Sequence, residues 1–239
     1  MIDNVSQIKT KIFADGADFE KMLELSKLPH IAGLTTNPTL MRKSGVKDYK
    51  DFAKRVLSQI QDKPISFEVF SDEIDEMIQQ AREISSWGRN VNVKIPITNS
   101  KGESTNRAVK VLSEDGIHLN VTAIMTTRQV ESVATVLHSQ SKVFISIFAG
   151  RIADTGKDPI PLMKESLSVM TNHSNAELIW ASPREILNVI QANEIGCHII
   201  TATSDILSKL NLIGKDLSAY SLETVNMFRK DALASGYSI

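Results

Sequence analysis

The sequence predicts an α/β protein of the (β/α)8-barrel class, a TIM barrel, with an additional C-terminal helix. Three observations predict it. Short apolar, β-branched runs alternate with longer amphipathic, charged stretches along the whole chain, the pattern of βαβ units with parallel strands. About eight such units follow one another with no Pro/Gly/Ser-rich linker, which favours a closed barrel over an open sheet. The open doubly wound alternative also lacks its glycine-rich phosphate fingerprint after the first strand. Finally, 239 residues is close to the size of one such barrel, so the chain reads as a single domain over 1–239.

The strand-like runs lie near 11–15, 31–35, 65–70, 91–97, 118–123, 143–148, 178–182 and 197–202. Helical patterns fall at about 18–27, 48–59, 72–87, 104–115, 127–138, 159–171 and 183–192, with a last one at about 217–234. The first run ends at Asp15, and Asp18, just before the first helical pattern, suits an N-cap. The second run ends in the polar turn Gly33-Leu34-Thr35-Thr36-Asn37-Pro38. Strands buried on both faces should read as continuous apolar runs, yet several here have one polar face. Period 2 puts Ile65, Phe67 and Val69 on one side of the third run and Ser66 and Glu68 on the other. In the fourth, Val91, Val93 and Ile95 oppose Asn92, Lys94 and Pro96. Asn120 and Thr122 share a face of the fifth, and Ser146 shares one with Phe144 and Phe148 in the sixth. A barrel explains these together: outward faces pack on helices, and inward faces near the strand C-termini line a site.

Composition excludes several functions. With 42% hydrophobic and 23% charged residues, the chain can bury a sizeable core without disulfides or metal. A net charge of −1 provides no footprint for nucleic acid or an anionic membrane. A local basic pocket for a phosphorylated metabolite is compatible with it. No apolar run approaches a membrane span. The opening residues MIDNVSQIKTKIF carry charge and no long apolar core, unlike a secretory leader. The lone Cys197 fits a reducing, cytoplasmic compartment and reads as a buried packing residue. The five histidines show no metal-ligand spacing, so no metal is expected; His118 and His198 read as packing or rim residues. No GxSxG or Walker A sequence occurs.

Lys94 is the candidate centre. Desolvating a lysine disfavours its charged form, and a neutral amine is what attack on a carbonyl requires. An arbitrary mid-strand lysine more often snorkels or pairs with a carboxylate, but the polar neighbouring strands reverse that preference. Asp15 and Glu68 are candidates to divide proton transfer and water activation, against a turn role for Asp15 and simple pairing with a barrel lysine for Glu68. The Thr and Asn of the second turn suit sugar hydroxyls, although such turns are common. Arg151 and Arg184 follow the sixth and seventh runs, where barrels often bind phosphate; either alone reads better as a surface residue.

Taken in order, Phe-Ala-Asp-Gly-Ala-Asp, Thr-Thr-Asn-Pro-Thr, Phe-Glu-Val, Val-Lys-Ile-Pro, Asn-Val-Thr-Ala, Ser-Ile-Phe-Ala-Gly-Arg and Ala-Ser-Pro-Arg resemble the transaldolase and fructose-6-phosphate aldolase family over nearly the whole chain. The length is similar to that of its short members. The resemblance implies a metal-free and cofactor-free enzyme in which Lys94 forms a Schiff base with a ketose phosphate. It further implies Asp15 as the acid/base on the C4 hydroxyl, and Glu68 with Thr122 as the holders of the catalytic water. Thr36, Asn37, Asn120 and Ser146 would contact sugar hydroxyls, and Arg151, Ser182 and Arg184 would bind phosphate. Family transaldolases typically carry Glu and Phe where the aldolase branch has Gln and Tyr. Glu68 and Phe148 therefore imply transfer of a dihydroxyacetone unit between sugars of the pentose phosphate pathway, rather than its release. The alternatives are an aldolase-type lyase and a barrel that binds sugar phosphate without turnover. Departures from the family pattern are Ile147 for proline, Ala123 for leucine, and Ala149, Trp180 and Pro183 near the expected pocket. Short members often form rings, so a homo-oligomer is implied. The helix at 217–234 either crosses to a neighbouring subunit or docks on its own barrel.

Overall fold

A computed structural model describes residues 2–236. Eight parallel strands close into a barrel in sequential order. They are β1 (Lys11–Asp15), β2 (Ile31–Thr35), β3 (Ile65–Glu68), β4 (Val91–Pro96), β5 (Leu119–Ile124), β6 (Val143–Ile147), β7 (Ala176–Trp180) and β8 (Ile199–Thr203). The surrounding helices are α1 (Phe19–Ser26), α2 (Pro38–Lys43), α3 (Tyr49–Gln59), α4 (Ile74–Ser85), α5 (Asn106–Glu114) and α6 (Thr127–Ala134). They continue with α7 (Ala149–Asp154), α8 (Ile160–Val169), α9 (Leu187–Glu194), α10 (Ser204–Leu207) and α11 (Leu217–Ser235). The architecture is the TIM barrel with a C-terminal helix that the strand–helix rhythm predicts.

Local chemistry sets several boundaries. Asp18 caps α1 by accepting from Lys21 N at 3.0 Å, which leaves Asp15 free of that duty. Asn37 caps α2 through Leu40 N at 2.9 Å, with Pro38 in the first turn, where its missing N–H costs nothing. Half of the turn expected at 33–38 is thus strand and its end begins a helix. Thr126 and Gln129 form a reciprocal capping box on α6. The short helices α2, α7 and α10 span four to six residues, too few to produce a helical period in sequence. The seventh strand begins two residues earlier than expected, at Ala176, and ends at Trp180. Just beyond it, Ser182 adopts φ 61°, a left-handed conformation outside the extended region of regular strands. α9 starts at Leu187 rather than near Pro183, after a turn in which Asn188 Oδ1 accepts from the backbone N–H groups of Arg184 and Glu185.

Burial separates into two cores. Outward-facing residues such as Leu34, Ile65, Phe67, Val93, Ile145 and Trp180 pack with the helices in one large cluster. Each such side chain contributes about 1.5–3 kcal/mol relative to leaving it in water. Trp180 therefore belongs to the outer core, not to the pocket where the sequence placed it as a departure. Inside the barrel, Phe13, Ile179, Ala181 and Ile199 form a second, smaller cluster with Ala32, Phe144 and Phe148 against it. Phe13 and Phe144 meet edge to face at 5.7 Å. Gly33 is required here, since a Cβ would lie 2.5 Å from the Phe13 ring.

The last helix behaves differently. None of its described residues is buried, and Leu217, Leu222, Val225, Met227, Phe228 and Leu233 are all exposed. Docking onto its own barrel, one of the two expected arrangements, is not what the structure adopts. Among the described residues no helix is long and apolar enough to cross a membrane, and no group of three or more His, Cys, Asp or Glu side chains is disposed to hold a metal ion.

Candidate active site

Parallel pairing brings the polar faces of adjacent strands to one level. Glu68 pairs with Lys94 across β3 and β4, Lys94 with Asn120 across β4 and β5, and Pro96 with Thr122. Lys94 and Glu68 are 7% and 6% exposed, so neither has bulk water as its main partner. Lys94 Nζ donates to Glu68 Oε1 at 2.8 Å and to the Thr36 carbonyl at 2.5 Å. Since an ammonium has three N–H bonds, one is left uncommitted.

Glu68 Oε2 lies 3.0 Å from Thr36 Oγ1, which also donates to the Ser66 carbonyl at 2.8 Å. One hydroxyl hydrogen cannot serve both acceptors fully. A proton on Glu68 would resolve the conflict by donating to Thr36, and the electrostatics point the same way. Burial pushes the Glu68 carboxyl above its ordinary range, against the opposing pull of Lys94 and its hydrogen bonds.

Asp15 ends β1 and keeps part of its surface open to the mouth. Thr35 Oγ1 donates to Asp15 Oδ1 at 2.8 Å, and Thr201 Oγ1 stands 2.6 Å behind Thr35. Asn37 Nδ2 reaches Asp15 Oδ2 at 3.3 Å. Desolvation nonetheless raises the Asp15 carboxyl, with Lys94 the largest opposing influence. Asp15 and Glu68 interact electrostatically with the same lysine, which suits two acid/base groups serving one centre.

On the other side, Ser146 Oγ donates to Asn120 Oδ1 at 2.7 Å, and Asn120 Nδ2 donates to Ser66 Oγ at 3.0 Å. This relay orients Asn120 beside Lys94. Among the described residues Thr122 Oγ1 is buried without a hydrogen-bond partner. The next residue, Ala123, has φ 62° and marks an irregularity in the β5–β6 pairing. An unsatisfied buried hydroxyl costs about 1–3 kcal/mol. Phe148, which N-caps α7, packs on the apolar side of the lumen.

Arg151, Ser182 and Arg184 form a second group at the ends of β6 and β7. A Cβ on Gly150 would fall 1.6 Å from the Ser182 carbonyl oxygen, so glycine there lets α7 and the β7 loop touch. Arg151 lies with its guanidinium 5.7 Å from the centre of the Phe148 ring. Arg184 Nη1 donates to Ser182 O and Oγ at 2.8 and 2.9 Å. Its Nε and Nη2 grip Asp154 Oδ1 and Oδ2 at 2.8 and 2.5 Å.

A buried lysine paired to a raised carboxyl, a second raised carboxyl and a buried, unpartnered hydroxyl thus lie on the inward faces of neighbouring strands. A transaldolase/fructose-6-phosphate aldolase family model matches residues 12–237. The chain belongs to that family. It is 36% identical to a probable transaldolase of Thermoanaerobacter sp. (strain X514) over 201 residues, 84% of this chain and 88% of that protein. Identity is 37% to probable transaldolase 2 of Listeria monocytogenes, with the same coverage. It is 35% to a probable transaldolase of Methanococcus maripaludis (strain C7), covering 84% and 89%. Among solved structures, a mandelate oxidase mutant superposes with a TM-score of 0.57 over 91% of this chain and 79% of that one, at 11% identity; this similarity concerns the barrel fold alone.

Sequence reasoning singled out neither Thr201 nor Asp154, and it named Thr35 only within the polar turn at 33–38. Thr35 and Thr201 support Asp15, and Asp154 holds Arg184. Period 2 places Thr201 on the inward face with Ile199, so its hydroxyl was a findable signal. Asp154 lies on a six-residue helix and had none. His198 is a rim residue whose Nδ1 accepts from Leu178 N at 3.0 Å, and Cys197 is buried with its thiol pushed up to about 12 by desolvation.

Proposed function

We propose that this family member is a transaldolase, carrying a dihydroxyacetone unit from a ketose phosphate to an aldose phosphate through a Schiff base on Lys94. The observation that carries the reading is the buried Lys94–Glu68 contact of 2.8 Å, with Asp15 raised by burial beside it. In this scheme Lys94 passes its proton to Glu68 and attacks the ketose C2 carbonyl as the neutral amine. The carbinolamine loses its oxygen as water, assisted by Glu68, with Thr122 as the water's second holder, and an iminium results. Asp15 takes the C4 hydroxyl proton, the C3–C4 bond breaks, and its electron pair moves toward the iminium. An aldehyde departs, and an enamine stays on Lys94.

The enamine then adds through C3 to the carbonyl carbon of a second aldehyde, Asp15 returns its proton to the new hydroxyl, and water hydrolyses the iminium. Phe148 supplies no hydroxyl, and the apolar lumen wall around it keeps protons from the enamine, which favours transfer over release. Family analogy makes fructose 6-phosphate or sedoheptulose 7-phosphate the donor, and Arg151, Ser182 and Arg184 the receivers of its phosphate.

Incubation with fructose 6-phosphate followed by borohydride should leave a reduced three-carbon adduct on Lys94, located by peptide mapping. A folded protein that forms no adduct with any ketose phosphate would refute the scheme. Free dihydroxyacetone appearing without an acceptor, as fast as transfer with one, would convert the reading to an aldolase. The exposed apolar face of α11 supports assembly with further copies of the chain, measured by light scattering. A cytoplasmic setting, supported by the single buried Cys197, completes the proposal.

A further inference from the structure

Three residues were expected to receive phosphate, yet they are not equivalent. Arg184 is already held by a carboxylate in a two-pronged fork, the same geometry that an Arg uses on phosphate. Its remaining terminal nitrogen is tied to Ser182. Ser182 accepts this role in a left-handed conformation that is unusual for a residue with a side chain. Arg151, by contrast, forms no salt bridge among the described residues.

Asp154 is the group that makes the difference. It sits on α7 one turn after Arg151, so its carboxylate shares a helix face with the arginine that is still free. A phosphate placed between Arg151 and Arg184 would meet two cations and one carboxylate in the same space. Like charges repel, and the fork can hold one anion at a time.

We propose that Asp154 is a specificity-determining residue: it competes with the substrate's phosphate for Arg184 and so weakens the preference for phosphorylated over unphosphorylated sugars. The proposal rests on the Schiff-base reading above, because it concerns the phosphate end of the same bound sugar. Asp154 touches no reacting atom, and its influence is on recognition at the far end. The competing structural role is that Asp154 preorganises Arg184 for phosphate, and that role moves the measurement in the opposite direction.

The test compares fructose 6-phosphate with fructose, the same sugar with and without the anion, as donors for the wild-type protein and Asp154→Asn. The specificity ratio, kcat/KM for the phosphate ester over kcat/KM for the free sugar, should rise about tenfold in Asp154→Asn, a size fitting one charge-assisted contact. Inorganic phosphate should inhibit the variant more tightly than the wild type by a similar factor. Asp154→Glu, which restores the carboxylate, should return both values most of the way. Asp154→Ser provides the same charge removal should Asp154→Asn fold poorly. A ratio that stays constant or falls in the variants overturns the proposal and leaves the Lys94 chemistry standing. Absence of a borohydride-trapped Lys94 adduct in wild type and variants alike overturns both.

Discussion

The two halves of the barrel lumen share one backbone architecture and have opposite chemistry. Along β2 to β5 the interior carries Thr35, Ser66, Glu68, Lys94, Asn120 and Thr122, most of them linked by hydrogen bonds. Across β7 and β8 it carries Ile179, Ala181 and Ile199, with Phe13, Phe144 and Phe148 against them. Ile179, Ala181 and Ile199 offer no side-chain hydrogen bonds, and the contact from β8 to the polar half is Thr201 Oγ1 with Thr35 Oγ1 at 2.6 Å. Desolvation is the largest influence on both carboxyls, and it outweighs the nearby lysine. The contrast teaches that burial, more than the nearby lysine, sets the state of the two carboxyls.

The comparison breaks most completely at its centre. Lys94→Met should abolish the borohydride adduct and reduce turnover by at least about a thousandfold, as expected for loss of a covalent nucleophile. Circular dichroism should show the fold retained, because the methionine fills similar space and Glu68 can go protonated. Full activity in this variant would end the scheme.

The apolar half is tested by Ile179→Ala. The cavity should lower unfolding free energy by about 3 kcal/mol in a urea titration, and it should admit water toward the site. Loss of stability with no change in the acid limb of the pH–rate profile would show that the two halves are independent.

Asp15→Asn sharpens the electrostatic side. Activity should fall on the order of a hundredfold from loss of the acid/base. Stability should respond to pH with a definite sign. A carboxyl raised above its unfolded value, near 3.8, binds its proton more tightly when folded. Folding is therefore helped while the proton remains, and that help is lost as pH rises from about the unfolded value through the folded one. The variant has no such loss. Its stability relative to the wild type should improve over that window and then level off, as thermal melts across pH would show. A difference independent of pH would mean that Asp15 is not raised.

The smallest effect is expected at Thr122→Val, which preserves shape and removes a hydroxyl that has no partner. Stability should rise by about 1 kcal/mol, the low end of what an unsatisfied buried hydroxyl costs, while hydrolysis of the enzyme-bound intermediate slows. Equal rates of hydrolysis in a single-turnover assay would remove Thr122 from the water site.

The order of strands and helices was legible because barrel strands alternate faces and their helices are long enough to show a period. The same alternation placed Glu68, Lys94, Asn120 and Ser146 inward; the structure pairs the first three in register and bonds Ser146 to Asn120 from β6. Asp18 was legible as a cap by its position before a helical run, which freed Asp15 for other work. The short helices α2, α7 and α10 were not legible, having under two turns of pattern. Trp180 was misplaced because atypical chemistry beside a site motif says nothing about which face a side chain takes.

What the sequence by itself determined is the barrel, the polar faces of its strands and the inward placing of Lys94, since these follow from period 2 and from residue type. Only the tertiary structure decided that Thr36 offers one hydroxyl to two acceptors, that Thr122 has no partner and that Asp154 occupies Arg184. It also decided that α11 leaves the barrel with its apolar side chains uncovered. Each of these depends on distances between residues far apart in the chain, or on a left-handed turn such as Ser182, and no local pattern encodes which groups such a closure brings together.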